Sequence, residues 1–227
     1  MAFKGFGPLG QQFFRELGLN NGRAWFKEHR FEYEAELRDP AEAFIADLGD
    51  RLSGLYPDIR FDTRRNGAGS LMRINRDIRF SPDKRPYKEN LGIIFWLGEG
   101  KKVESPAFYF HVDADRCFLY GGQHVFPKET LARYRASAAD DASGRRLVAV
   151  LDKLDSQGFP CFEEPAYKRV PRDYAADHAR ADLLRYSGMG VARILEPAAI
   201  LHPDLVTACA DDALRMKPLV DWLLGIN

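Results

Sequence analysis

One stretch decides the fold class of this chain: Ala107-Phe-Tyr-Phe-His-Val-Asp-Ala-Asp-Arg-Cys-Phe-Leu-Tyr120. Two runs rich in aromatic and β-branched residues, which favour strands, flank the four residues 113–116. A loop of four residues between such runs is typical of a β-hairpin. The stretch therefore predicts two antiparallel strands, over residues 107–112 and 117–120.

Further strands are predicted on both sides of this hairpin, because β-favouring residues recur between Gly, Pro and Asp. These strands lie at residues 59–61, 71–74, 78–80, 91–97, 162–170 and 191–195. Helical periodicity dominates the two ends of the chain. The predicted helices lie at residues 9–17, 25–37, 39–55, 128–139, 145–154, 179–186, 203–214 and 218–224. Asp39 is the predicted N-cap of the third helix, and Pro40 is its first residue.

Helices, then hairpin-connected strands, then helices again predict an α+β fold. We expect a single domain over residues 1–227, with a mostly antiparallel, curved sheet flanked by N-terminal and C-terminal helices. The sheet is expected from residues 59–122 and from parts of 160–195. A doubly wound nucleotide-binding fold is not expected, because strict β-α alternation is absent from the pattern.

The composition excludes several protein classes. The 227 residues carry 33 Lys and Arg against 33 Asp and Glu, so the formal net charge is zero. Neutral charge disfavours a general nucleic-acid coat protein, and an apolar content of 45% excludes extensive disorder. The three cysteines form no C-x-x-C motif, so we expect no zinc ribbon, thioredoxin motif or disulfide framework.

The chain shows no sequence signal for a membrane. No apolar run approaches the roughly 20 residues of a membrane helix, and the N-terminus lacks an apolar signal segment. We therefore expect a cytoplasmic protein with no membrane partner. The composition sets no oligomeric state.

The most distinctive charged stretch is Arg73–Lys88, which we call the basic segment. Residues 60–90 carry nine basic and four acidic side chains, a local excess of +5 in a neutral chain. Guanidinium and ammonium groups suit phosphate and carboxylate ligands. We therefore predict that the segment binds a small anionic ligand, with Asn75 and Tyr87 orienting it. The candidate ligand-binding residues are Arg73, Asn75, Arg76, Arg79, Lys84, Tyr87 and Lys88.

Two alternatives for the basic segment stay open. Its cations can pair with acidic side chains of the segment and of residues 1–59, which carry ten acidic and seven basic side chains. The segment is then a structural ion-pair lattice that joins a hairpin to the N-terminal helices. The same cations and neighbouring aromatic residues can instead form a nucleic-acid-binding module, which is the less favoured partner for a neutral chain.

Two histidines are candidates for acid–base chemistry. His111, Asp113 and Asp115 have strand spacing, which allows either a divalent metal or a proton-transfer role for His111. Both aspartates also suit a hairpin loop without a metal. His178 follows Asp177, which is more simply an N-cap. No nucleophile motif or phosphate loop is present, so we predict no cofactor and leave open whether the protein is an enzyme.

A third histidine lies on an aromatic stripe of the helix predicted over residues 25–37. Trp25, His29, Tyr33 and Leu37 recur at intervals of four residues and share one helical face. His29 is therefore interpreted as a hydrogen-bonded residue of the core or its rim.

Three blocks of sequence resemble a known family. The first is Asn20-Asn21-Gly-Arg-Ala-Trp25-Phe26 with the following Tyr33, and the second runs from Arg76 to Lys88. The third is Lys168-Arg-Val-Pro171-Arg-Asp-Tyr174, followed by Asp177-His178 and Leu183-Leu184. These blocks resemble the domain-of-unknown-function family 2461, conserved hypothetical proteins of bacteria and fungi. The resemblance spans nearly the whole chain and implies one family domain, but it implies no activity.

Overall fold

The structure, a computed structural model, describes residues 2–64 and 67–227. Its helices are α1 (Gly10–Leu19), α2 (Arg23–Glu28), α3 (Arg30–Tyr33), α4 (Asp39–Leu55), α5 (Lys128–Ala139), α6 (Asp141–Ser156) and α7 (Leu205–Leu224). Its strands are β1 (Asn90–Trp96), β2 (Ala107–Asp113), β3 (Cys117–Gln123) and β4 (Met189–Leu195). Among the helices of the described residues, none combines the length and the apolar character that crossing a bilayer requires.

The strands form one open antiparallel sheet whose order, β1-β2-β3-β4, follows the chain. The backbone N–H of Asp113 donates to the carbonyl of Arg116 (2.9 Å) and closes the loop between β2 and β3. Cys117, the first residue of β3, is fully buried, and this burial raises the pKa of its thiol to about 12. The predicted hairpin and the α+β class are confirmed.

Two compact units divide the chain. The first unit consists of Met1–Phe95, Tyr109–Leu119 and Ile194–Asp211. The second unit consists of Trp96–Phe108, Tyr120–Arg193 and Asp212–Asn227. The single domain over residues 1–227 stays a prediction.

An aromatic cluster forms the centre of the first unit. Phe44 of α4 lies 4.6 Å from Phe110 of β2, measured between ring centroids. Phe6 stacks on the same Phe110 ring at 5.9 Å, and Phe3 meets Phe44 edge-on at 5.2 Å. The buried residues of α4 recur at intervals of three and four, which places its apolar stripe toward this cluster.

The second unit has its own core around α5 and α6. Tyr134 of α5 is fully buried between Phe126 (4.6 Å) and Trp222 (5.9 Å), again between ring centroids. Asp140 begins α6 as its N-cap, because its carboxylate accepts hydrogen bonds from the backbone N–H groups of Ala142 and Ser143.

Helix α4 begins at Asp39 as predicted, but Asp39 is not its N-cap, because residue 39 is itself helical and no side chain caps the helix. A π-helical turn over Glu34–Arg38 connects α3 to α4, and the N–H of Asp39 donates to the carbonyl of Glu34, five residues back. Pro40 has no N–H for the carbonyl of Glu36, which would be its helical partner. That carbonyl instead accepts the backbone N–H of Gly7 at 2.7 Å. A long-range hydrogen bond therefore makes a proline acceptable inside a continuous helical segment.

Four predicted strands, at residues 59–61, 71–74, 78–80 and 162–170, form no regular strand. Antiparallel pairing in these stretches includes the isolated bridges Leu71↔Ile93, Asn75↔Tyr87 and Cys161↔Val191. Pro165 lies inside the last of these stretches and Pro82 follows the third, and neither residue supplies an N–H for a ladder.

Two helix predictions at the C-terminal end of the chain also need correction. The predicted helix over residues 179–186 is a 3₁₀ turn, Leu183–Arg185. The guanidinium of Arg180 donates to the carbonyls of Ala138 and Ala139 and so caps the end of α5. The two helices predicted over 203–214 and 218–224 are a single helix, α7, with Pro218 inside it.

Replacing Phe110 with alanine tests the aromatic cluster. Phe110 is fully buried, so we expect Phe110→Ala to lower the free energy of unfolding by about 3–5 kcal/mol. Urea denaturation measures this change. Phe80→Ala is the matched control, because the Phe80 ring is 92% exposed and its loss should cost little. Equal destabilisation by the two substitutions would contradict the packing described above.

Candidate functional site

The basic segment folds back on itself at its two ends. The N–H of Arg76 donates to the carbonyl of Pro86 (2.9 Å), and the N–H of Lys88 donates to the carbonyl of Ile74 (2.7 Å). These bonds flank the antiparallel bridge Asn75↔Tyr87. Residues 77–85 are therefore held as the tip of a short hairpin whose charged side chains are close in space.

Carboxylates inside the basic segment compensate three of its arginines. Asp83 accepts from Arg76 at 2.5 Å and from Arg85 at 2.8 Å, and Asp77 accepts from Arg79 at 2.6 Å. The hydrogen bonds from Arg85 and Arg76 lower the pKa of Asp83 well below its usual value. The hydrogen bonds from Arg79 lower the pKa of Asp77 to about 2. These arginines are therefore committed to partners within the segment.

Arg73 and Lys88 are placed differently. Among the described residues, Arg73, Lys84 and Lys88 have no carboxylate within ion-pair distance, and Lys84 instead donates to the carbonyl of Ile78 (3.0 Å). Burial lowers the pKa of Lys88, and the positive charge of Arg73 lowers it further. The two cations therefore lie close enough to repel each other, at a position where Lys88 is half-buried.

Gly67 contributes to the position of Arg73. Its φ of +79° favours glycine, and a Cβ atom there would overlap the Arg73 side chain. The aliphatic part of Arg73 can thus lie directly on the backbone at this turn.

Asn21 anchors the hairpin to the N-terminal helices. Its carboxamide oxygen accepts the N–H of Tyr87, and its Nδ2 donates to the carbonyl of Tyr87 (both 3.1 Å) and to Glu89 (2.9 Å). Phe26 stacks on the Tyr87 ring at 4.1 Å. Tyr87 is thus buried in packing, whereas Asn75 is exposed. The sequence singled out Asn21 only as part of a block that resembles a known family, because its partners lie more than 60 residues away.

A chain of polar side chains lies on one face of β1 and β2. His111 Nε2 lies 3.0 Å from Asp113 Oδ2, and His111 Nδ1 lies 3.3 Å from the Tyr109 hydroxyl. Asn90 Nδ2 donates to that hydroxyl at 3.4 Å. The His111 ring also stacks on Phe118 at 4.6 Å. Both ring nitrogens of His111 therefore have partners, and the imidazole is oriented by its surroundings.

Burial decides how these groups titrate. Burial lowers the pKa of His111, although the carboxylate of Asp113 opposes this effect. Burial acts to raise the pKa of Asp113, but the N–H groups of Asp115 and Arg116, together with His111, lower it to about 2. Burial raises the pKa of Tyr109 to about 12. The arrangement therefore favours a neutral imidazole beside an ionised carboxylate, which is a geometry that can hold or relay a proton.

The structure does not bring Asp115 to this pair. Its carboxylate lies 3.2 Å from the guanidinium of Arg15, on α1. Within residues 2–64 and 67–227, His111, Asp113 and Asp115 do not form a group with converging ligand atoms. Asp113 instead serves the hairpin loop, as its position in the sequence allows.

His178 lies in a series of turns in the second unit. Its Nδ1 accepts the backbone N–H of Arg180 at 3.0 Å, which stabilises the local turn. The predicted helix that Asp177 would have capped is absent from this described stretch. His178 therefore contributes to the turn that positions Arg180.

The second unit contains a buried carboxylate that sequence analysis missed. Glu163 Oε1 accepts from the Tyr120 hydroxyl (2.7 Å) and lies 3.3 Å from His124 Nδ1. The side chain is 7% exposed, and its Oε2 has no hydrogen-bond partner among the described residues. This oxygen can accept a further hydrogen bond. No sequence motif marks Glu163, because its partner Tyr120 is 43 residues away in the sequence.

Comparison with known proteins gives one match. The family described as "Conserved hypothetical protein (DUF2461)" matches residues 10–222, which is most of the chain. Neither the curated proteins nor the solved structures contain a significant match.

The Asn21 anchor can be tested by truncation. Asn21→Ala removes three hydrogen bonds, two of them to the backbone of Tyr87, so we expect a loss of about 1–3 kcal/mol in the free energy of unfolding. Asn20→Ala is the neighbouring control, because Asn20 is exposed and bonds only within its own helix end. Urea denaturation compares the two variants, and an Asn20→Ala loss as large as that of Asn21→Ala would contradict the anchor.

The pKa of His111 predicts a pH dependence. At pH values above its ordinary pKa of 6.5, the imidazole is neutral in both the folded and unfolded states. As the pH falls below 6.5, the unfolded chain binds this proton more readily than the folded chain, so folding stability decreases. Between pH 7 and pH 5, the free energy of unfolding should therefore fall less for His111→Gln than for the wild type. Urea denaturation at each of the two pH values measures this difference. His202→Gln, at an exposed histidine, is the control. An unchanged pH dependence in His111→Gln would refute this assignment.

Proposed function

Because the chain belongs to the DUF2461 family of conserved hypothetical proteins, we propose its function from the geometry of its own residues. The protein binds a small anionic ligand that carries a phosphate or carboxylate group. Arg73 and Lys88 bind the anion, and Asn75, which is exposed and pairs with Tyr87 in an antiparallel bridge, can orient it. Arg76, Arg79 and Arg85 serve the hairpin through their internal ion pairs.

The observation that carries this proposal is the uncompensated pair of cations. Two like charges that are close together destabilise each other, and partial burial of Lys88 removes some of the water that would screen them. An anion between them relieves both costs. A guanidinium offers two parallel N–H donors and an ammonium offers a point charge, which together suit an oxyanion.

The pairing of the other arginines supports a compact site. Arg76, Arg79 and Arg85 each donate to a carboxylate of the segment, so they are less available to an external ligand. A nucleic-acid-binding module needs several cations along a phosphate backbone. Among the described residues of the segment, Arg73, Lys84 and Lys88 lack a carboxylate partner, and the neighbouring pair Arg73 and Lys88 favours a ligand with one or two anionic groups instead.

Calorimetric titration with inorganic phosphate and with citrate tests this function. We expect Arg73→Ala and Lys88→Ala each to weaken binding by about ten- to a hundredfold, because each removes a charge-assisted hydrogen bond. Arg79→Ala is the matched control, since it removes the same charge from the same segment but from a side chain already paired with Asp77. It should leave the affinity within about threefold of the wild type.

Two results would overturn the proposal. Equal losses in Arg79→Ala and Arg73→Ala would show that the overall charge of the segment, and not the uncompensated pair, attracts the anion. Binding of a short single-stranded DNA, tighter than phosphate and with a steep salt dependence, would favour the nucleic-acid module. Melting curves of each variant show whether a loss of binding reflects a loss of folding.

A further inference from the structure

Three potential metal ligands, none of them in the basic segment, converge in the first unit. Glu16 belongs to α1, His29 follows α2, and Glu32 belongs to α3. Each offers one ligand atom, and these atoms all lie within 4.8 Å of one another. The helices α1 and α3 pack against each other, which brings the two glutamates together although they belong to different helices.

The ring of His29 is held in an orientation suited to a metal ligand. Its Nδ1 lies 2.9 Å from the carbonyl of Trp25, so Nδ1 carries the proton and donates it there. The lone pair is then on Nε2. The ring also stacks on the Trp25 indole at 4.0 Å with an interplanar angle of 12°, and Trp25 rests on the buried Phe13. Metal-binding histidines typically donate their second ring nitrogen to a carbonyl or carboxylate in this way.

The glutamates have no cationic partner to compensate them. Gln12 Nε2 donates to Glu16 Oε1 at 2.7 Å, which orients this carboxylate from outside the cluster. The neighbouring arginines are committed elsewhere, Arg15 to Asp115 and Arg30 to Glu34. Within the described part of the chain, neither Glu16 nor Glu32 has an ion-pair partner. Two carboxylates this close together are stabilised by a bound cation.

We propose that Glu16, His29 and Glu32 bind a divalent transition-metal ion, with Zn²⁺ preferred over Mg²⁺. One imidazole nitrogen and two carboxylate oxygens suit Zn²⁺, whereas Mg²⁺ favours an all-oxygen shell. In a tetrahedral site, ligand atoms about 2.1 Å from the ion are about 3.4 Å apart, so side-chain shifts of about one ångström complete the site. Three protein ligands leave a fourth position of Zn²⁺ for water or another ligand.

Calorimetric titration of the full chain, first treated with EDTA, tests the site with Zn²⁺ and with Mg²⁺. We expect one Zn²⁺ per chain and much weaker binding of Mg²⁺. His29→Ala and Glu32→Gln should each weaken Zn²⁺ binding at least about tenfold. His202→Ala, at an exposed histidine of the same unit, should leave it unchanged.

A substitution in the second layer separates this site from nonspecific metal binding. Gln12→Ala removes only the hydrogen bond that orients Glu16, so it should weaken Zn²⁺ binding by less than Glu32→Gln does. Glu32→Gln also covers the case in which His29→Ala fails to fold, because it keeps the stack on Trp25. Unchanged Zn²⁺ affinity in folded Glu32→Gln would overturn the proposal, as would loss of Zn²⁺ binding in His202→Ala. Phosphate binding is a separate readout, since the anion site shares no residue with this one.

Discussion

The alternation of side chains along β2 constrains what each face of the first unit can do. Phe110 and Val112 are fully buried, and Phe110 joins the aromatic cluster around Phe44. Neighbouring residues of a strand point to opposite faces, so Tyr109 and His111 must lie on the other side. A shift of one residue in register would exchange the two sets and bury a histidine among phenylalanines. The polar chain from Asn90 to Asp113 therefore exists because the apolar face is packed.

Charge compensation explains why so few of the cations remain available. Asp77 accepts the backbone N–H of Arg79, and Asp83 accepts that of Arg85, so each aspartate forms a local turn that brings the guanidinium two residues on within reach. Once these pairs form, the segment presents fewer unpaired guanidinium groups than its arginine content indicates. The same logic, with the opposite sign, applies to the helical cluster at Glu16, where the nearby arginines turn to other acids. In both places, the proposed site rests on the charges that lack an ion-pair partner.

Local patterns predicted much of this structure, and long-range contacts account for most of the errors. The β2–β3 hairpin, α5 and α6 were predictable because strand alternation and helical periodicity are properties of short stretches. The start of α4 at Asp39 was predictable, but its continuity with the preceding π-helical turn was not, because a proline at position 40 normally begins a helix and the N–H of Gly7 that replaces its missing bond is distant in sequence. The basic segment was recognised from composition. The three ion pairs inside the segment are local, but its anchoring by Asn21 and the approach of Glu16 to His29 depend on packing that no single stretch encodes.

The burial of Cys117 gives the chain a chemical reporter of its own motions. An alkylating reagent attacks the thiolate, and this thiol has no exposed surface and a pKa of about 12. The reagent therefore reacts with Cys117 only while the β2–β3 hairpin is transiently open. Cys161 is exposed and is open to the reagent without such an event. The slower of these alkylation rates is thus a direct record of how often the sheet opens under native conditions.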